Sequence, residues 1–143
     1  MDDKEPSRFV AAVVVAVLLT TVDHQHIAAP DPEGLGARAA MDIAIRDAGV
    51  NPDEVDYINA HGTATPLGDA AEVYAVKSLF GDHAYKLAMS STKSMTGHAL
   101  GAAGGIESVV AVRAVQDNIL PPTINLDNPD EGFDMNFVAN EAQ

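Results

Sequence analysis

Residues 55–80 read VDYINAHGTATPLGDAAEVYAVKSLF, and the order of residue types in this stretch decides the fold. Val55 to Ala60 is a short apolar run, the pattern of a buried strand. His61 to Gly68 is rich in Gly, Thr and Pro, so it breaks the run as a loop. Thr65-Pro66 then puts a capping residue before a proline suited to the first helical position, and a helix is expected to end near Phe80-Gly81. The pattern repeats on both sides. Upstream, Asp31-Pro32 predicts a helix opening, Leu35 to Ala48 carries an Arg38/Asp42/Arg46 polar stripe, Gly49 is placed as a C-terminal cap, and Asn51-Pro52 makes a turn. Downstream, Leu87 to Ser91 predicts a strand, Thr92 to Gly97 a polar loop, and His98 to Gln116 a helix stopped by Pro121-Pro122. Short strands are expected near Ile124 and from Asn136 to Ala139. With Phe9 to Leu19 as the first strand the order is β-α-β-α-β-α-β-β, an α/β fold with a largely parallel sheet.

The chain has 143 residues, with 8 basic against 21 acidic side chains, a net charge of −13, and no cysteine. A 47% hydrophobic content suits one packed domain and excludes a disordered acidic chain. The scattered basic residues argue against a nucleic-acid surface. Without cysteine there is no disulfide, no thiolate metal site and no cysteine nucleophile. The apolar run Phe9 to Leu19 is eleven residues, short of the ~20 that span a bilayer. The segment before it, MDDKEPSR, is not the positive start of a secretory signal. Its β-branched content favours a strand buried on both faces, and a soluble, cytoplasmic protein without membrane partners is expected.

In open α/β sheets ligands bind beyond the carboxyl ends of the strands. Two loaded loops leave successive strands there: Asn59 to Asp69, with His61, and Ser90 to His98, with Lys93. Each brings a histidine to one sheet edge, where neutral imidazole N–H groups can form an oxyanion hole. Either histidine taken singly reads as a structural residue; as a pair the two readings balance. His24-Gln-His26 can open a zinc site, but no further ligand has a fixed spacing beside it, so no metal is expected. His83 reads as exposed.

The segments NAHGTATPLGD (59–69), SSTKSMTGH (90–98) and GAAGGIE (101–107), in this order, resemble the β-ketoacyl-acyl carrier protein synthases, or ketosynthases, of type II fatty acid synthesis. DHQHIAAPDPEGLGARAA (23–40) is similar to a further stretch of that family. The resemblance implies one C-terminal half of a thiolase-like fold, a mostly parallel mixed sheet with a central small-residue helix. Residues 1–143 then form a single half-domain, with 1–22 an atypical first-strand region and 23–143 family-like. In the family, a cysteine of the first half takes an acyl group from acyl carrier protein, and two histidines hold the malonyl thioester carbonyl through decarboxylation and condensation. His61 and His98 match those histidines, Lys93 a lysine of the site, Glu107 the carboxylate that pairs with it, and Thr63 and Thr65 the threonines that bond the phosphopantetheine arm. Asp69 and Glu72 match acidic residues behind the site, although each also reads as an ordinary surface helix residue. No cofactor is implied, since the phosphopantetheine arm arrives on the carrier protein.

The chain departs from the family in four ways. It lacks the nucleophilic cysteine, it has AAVVVAVLLTTV where the family carries glycines and polar residues, and it lacks a closing glycine-rich segment; Ala28 also replaces a pantetheine-binding threonine. The expectation is a C-terminal ketosynthase portion, inactive alone. The alternative is a truncated or engineered half-domain acting only in folding or dimerisation, with an exposed apolar face that self-associates or meets the missing half.

Overall fold

The computed structural model describes residues 31–143 together with the backbone of residues 12–14. Strands β1 (Ala12–Val14), β2 (Tyr57–Asn59) and β3 (Ala88–Ser90) form a parallel sheet in the order β1-β2-β3. Ile58 is paired with Val13 on one side and Met89 on the other. The helices are α1 (Leu35–Ala48), α2 (Pro66–Phe80), the single turn α3 (Lys93–Thr96) and α4 (Ala103–Asp117).

Alternation along the strands sorts side chains onto two covered faces. Ile58 and Met89 join Met41 and Ile45 of α1 and Val76 and Phe80 of α2 in the main core. Tyr57 and Ala88 face the opposite way and pack with Ala114 of α4, Leu120 and Val138. Cover on both sides is why β2 and β3 read as unbroken buried runs. Each of the large core side chains contributes about 1.5–3 kcal/mol by leaving water.

The helix ends differ from the sequence reading in instructive ways. Asp31-Pro32 does not start α1, which begins at Leu35 after Gly34. Asp31 still serves that end, since its carboxylate accepts the backbone N–H of Leu35 at 2.9 Å and of Glu33 at 3.2 Å. Gly34 has φ +62°, and a Cβ there would lie 2.2 Å from the carbonyl oxygen of Ala71. This close passage of α1 over α2 explains a glycine inside the helix entry. Gly49 closes α1 in the left-handed conformation as expected, with φ +69°. Strand lengths contract to Tyr57–Asn59 and Ala88–Ser90.

The expected polar loop from Thr92 to Gly97 contains the helical turn α3, and the helix expected from His98 starts only at Ala103, after a 3-10 turn at Leu100–Ala102. The strands expected near Ile124 and Asn136 reduce to isolated parallel bridges, Thr123 with Ala139 and Ala88 with Asn136. Most of the Phe9 to Leu19 run, and the faces of its side chains, lie outside the described residues. No helix among the described residues is long and apolar enough to cross a membrane.

Gly34→Ala is expected to destabilise the fold by about 2–4 kcal/mol, combining a left-handed backbone with a steric collision. Gly49→Ala shares the backbone cost but has nothing within 4 Å of the new Cβ, so it is expected to lose only about 1–2 kcal/mol. Urea denaturation of the two variants measures the difference.

Candidate active site

The two loops beyond β2 and β3 are joined at their roots, where the Ala60 N–H donates to the Ser90 carbonyl at 2.8 Å. Beyond that point α2 turns a side chain back onto the first loop. Glu72 accepts the His61 N–H on Oε1 and the Gly62 N–H on Oε2, both at 2.7 Å. It is 8% exposed, which rules out the surface-residue reading of this position. Burial raises its pKa above the usual carboxylate value, and the two amides act against that rise. Gly62 has φ +36°, and a Cβ on it would stand 2.6 Å from the Ser91 Cβ, so the loops touch where only glycine fits.

Lys93, the first residue of α3, and Glu107, one turn into α4, form a buried ion pair with 5% and 4% side-chain exposure. Either charge alone in that position would cost several kcal/mol. Polar partners line the strands beneath it. Asn59 and Thr92 bond side chain to side chain at 3.2 Å, and the Tyr57 hydroxyl meets Ser90 Oγ at 2.8 Å. Burial is the main reason that the Tyr57 phenol is pushed up to about 12.

His61 and His98 stand edge to face, with ring centroids 5.3 Å apart and planes at 87°. His61 is half-buried, and its pKa falls below 6.5 chiefly through that burial, then through the charges of Lys93 and His98. It is therefore a neutral imidazole at neutral pH. His98 is exposed, and its Nδ1 accepts the Leu100 N–H at 3.1 Å. In the neutral ring that bond leaves Nε2–H as the free donor. A pair of imidazole donors beside a buried lysine can stabilise negative charge developing on a bound carbonyl oxygen.

At the head of α2, Thr63 and Thr65 lie with their hydroxyls 3.2 Å apart. Asp69 sits half-buried behind them, its pKa raised by burial and drawn back by the backbone amides of Thr65, Thr63 and Ala64. Its Oδ1 is buried without a hydrogen-bond partner. The structure thus gathers His61, His98, Lys93 and Glu107 at one place, with Glu72 and Asp69 behind the first loop and the two threonines at its outer rim.

His83 belongs elsewhere and is not simply exposed. Its Nε2 lies 2.8 Å from the Val55 carbonyl and its ring meets Phe80, because the 3-10 segment after α2 folds under β2. His24, His26 and Ala28 lie outside the described residues. Ser91, Asn59 and Thr92 were not singled out in the sequence, because small polar residues in a Ser/Thr-rich loop look alike until the strands are paired. The one available signal was Gly62 directly after His61, a residue type that marks close backbone approach.

Residues 11–127 match the family model described as beta-ketoacyl synthase, C-terminal domain. The chain belongs to that family. It is 61% identical over 121 residues to 3-oxoacyl-(acyl-carrier-protein) synthase 2 of Coxiella burnetii, covering 85% of this chain and 29% of that protein. It is 51% identical to the enzyme of the same name from Synechocystis, covering 86% of this chain and 30% of the relative. Among solved structures it is similar to a ketosynthase complex described as a type II PKS acyl-carrier protein with its ketosynthase bound to the hexaketide, with a TM-score of 0.80, 36% identity, and coverage of 85% of this chain and 30% of that one. A beta-ketoacyl synthase from Burkholderia phymatum matches with a TM-score of 0.75 at 34% identity, over 85% of this chain and 29% of that one. The chain spans about 30% of the length of these relatives. The fold expectation, the C-terminal half of a thiolase-like fold with a mostly parallel sheet, is borne out, and the described strands β1, β2 and β3 are parallel.

Glu107→Ala leaves the Lys93 ammonium buried and unpaired, and is expected to cost about 3–5 kcal/mol in chemical denaturation. Replacing both members, Lys93→Met with Glu107→Leu, is expected to recover most of that loss. A second outcome concerns pH. Because the folded pKa of His61 lies below the 6.5 of the free side chain, the unfolded chain binds more protons between those values. Stability from this residue is therefore full above 6.5 and lost as pH falls through the folded value. Thermal melts of the chain and of His61→Asn, subtracted from each other across that window, are expected to show this slope.

Proposed function

We propose that this chain is the C-terminal portion of a β-ketoacyl-acyl carrier protein synthase, which extends an acyl chain by decarboxylative condensation with malonyl-acyl carrier protein. The observation that carries the reading is the juxtaposition of His61 and His98, 5.3 Å between ring centroids, beside the buried Lys93–Glu107 pair. In this reading the two imidazoles donate to the malonyl thioester carbonyl. As carbon dioxide leaves, the electron pair of the broken bond moves into the enolate, whose oxygen the N–H groups stabilise. The enolate carbon attacks the acyl thioester of a cysteine, and the cysteine thiolate leaves. Burial, and after it the charge of Lys93, depresses the His61 pKa and so keeps that ring neutral and donating. Thr63 and Thr65 hold the phosphopantetheine arm that a carrier protein brings, and no resident cofactor takes part. A cytoplasmic setting and a dimeric assembly accompany this reading.

With no cysteine of its own, the chain supplies the half of the site that holds the malonyl thioester and its enolate, and another part of a synthase supplies the cysteine that carries the acyl group. A second reading has a specific observation behind it: Ile106, Val109 and Val112 of α4 are 39%, 64% and 57% exposed on one helical face. That face suits a half-domain that serves only in self-association or folding.

One experiment separates the two. The chain is joined to the remaining part of the Coxiella burnetii relative and assayed for condensation with acyl- and malonyl-carrier protein. Turnover by the chimera, falling about 10²–10³-fold in His61→Ala or His98→Ala, is the expected result, by analogy with loss of an oxyanion-hole donor. A folded chimera with no turnover favours the non-catalytic reading, for which sedimentation of the isolated chain must show a self-associated species. Condensation by the isolated chain would overturn its expected inactivity alone.

A further inference from the structure

We propose that Thr123 is a positioning residue for the histidine pair, acting through Ser91 on the His61–Gly62 peptide. Thr123 follows the Pro121-Pro122 stop and lies between the second loop and the C-terminal segment. Its hydroxyl accepts the Ser91 N–H at 3.0 Å and donates to the Phe137 carbonyl at 3.1 Å. Ser91 in turn gives its hydroxyl proton to the Gly62 carbonyl at 2.7 Å, with the His61 carbonyl 3.4 Å away. Each hydroxyl has a single proton, so Ser91 donates to both sides, by its hydroxyl to Gly62 and by its N–H to Thr123, and Thr123 spends its own proton on Phe137. Glu72 already holds the amides of His61 and Gly62. Ser91 holds the same backbone by its carbonyl side, and the absent Cβ of Gly62 lets the serine approach.

The far anchor is stiff. Val138 is fully buried and has φ +47°, a conformation that costs a β-branched residue about 1–3 kcal/mol. In that conformation its carbonyl accepts the Thr123 N–H at 2.9 Å, while its own N–H is taken by Asn136 Oδ1 at 3.0 Å. The Thr123 carbonyl accepts the Asn140 N–H at 2.9 Å. A neighbouring clamp repeats the link, with the Ile124 N–H donating to Ser94 Oγ at 3.0 Å and Ser94 Oγ donating to the Ser91 carbonyl at 2.8 Å. The backbone and hydroxyl of Thr123 are thus fully committed, and it is the hydroxyl that meets Ser91.

The inference rests on the ketosynthase reading only for the claim that His61 and His98 act on substrate. Its test reads ring proximity in the 143-residue chain instead of turnover, so the two can fail separately. Thr123→Val keeps the shape and removes the hydroxyl, whereas Thr123→Ser keeps the hydroxyl. NMR of histidine-labelled protein is expected to show a His61–His98 ring cross-peak in the parent and in Thr123→Ser, and its loss in Thr123→Val. His83, anchored on Val55, is expected to keep its resonance in all three. A cross-peak retained in Thr123→Val overturns the proposal. So does its loss in Thr123→Ser, or a His83 resonance that moves with it, which would make the effect a general structural one. Where Thr123→Val does not fold, Ser91→Ala decides, since it cuts the bond to Gly62 and leaves the Thr123 anchors in place. Loss of the cross-peak there supports the relay, and an unchanged cross-peak overturns it.

Discussion

The carboxylate of Glu72 takes the amides of both His61 and Gly62, and the geometry of the first loop follows from that one contact. A loop leaving a buried strand carries backbone donors that must be satisfied somewhere. Here a helix placed immediately after the loop turns a long side chain back to accept two of them. The cost is a carboxylate held away from water, visible in its raised pKa. The result is a fixed backbone at His61 and Gly62, from which the His61 ring projects toward His98. At the second loop the buried carboxylate meets a charge instead of backbone amides, with Lys93 and Glu107 paired across α3 and α4.

The two buried carboxylates do different work. Glu72 binds neutral amides and fixes backbone. Glu107 binds a cation and keeps a positive charge beside the histidines without leaving it unpaired. Burial is the main reason that the His61 pKa is low; Lys93 lowers it further, and Glu107 acts against that.

Much of this was legible in the sequence, and the reason is periodicity. The bounds of α1 at Ala48-Gly49 and of α2 at Pro66 and Phe80 coincide with their glycine and proline signals. The βα alternation followed from those ends, and the sheet edge that unites the histidines followed from the alternation. Signals failed where tertiary contact overrides local chemistry. Asp31-Pro32 has the form of a helix start, yet the chain enters at Gly34 because α2 lies too close for any other residue. The segment Thr92 to Thr96 looks like a loop by composition, but its hydroxyls bond back to carbonyls of the same turn, Thr96 Oγ1 to Thr92 and Ser94 Oγ to Ser91. His83 looked like a surface residue because nothing in GDHAY announces that Val55 offers it a carbonyl.

The site residues divide along the same line. Histidines, a lysine and acids in Gly/Thr-rich loops are chemically conspicuous, and a family resemblance can assign them from order alone. Ser91 and Thr123 are not conspicuous, since 32 positions separate the partners of their bond and neither has a distinctive neighbour. What makes them matter is the parallel pairing of β2 with β3, which brings Ser91 against Gly62, and the bridge of Thr123 with Ala139, which brings the C-terminal segment under Ser91. Positioning in this fold is therefore a property of register. A loop that bears a catalytic type of side chain can be recognised in isolation, whereas the groups that hold it still are defined only once the strands have been placed side by side.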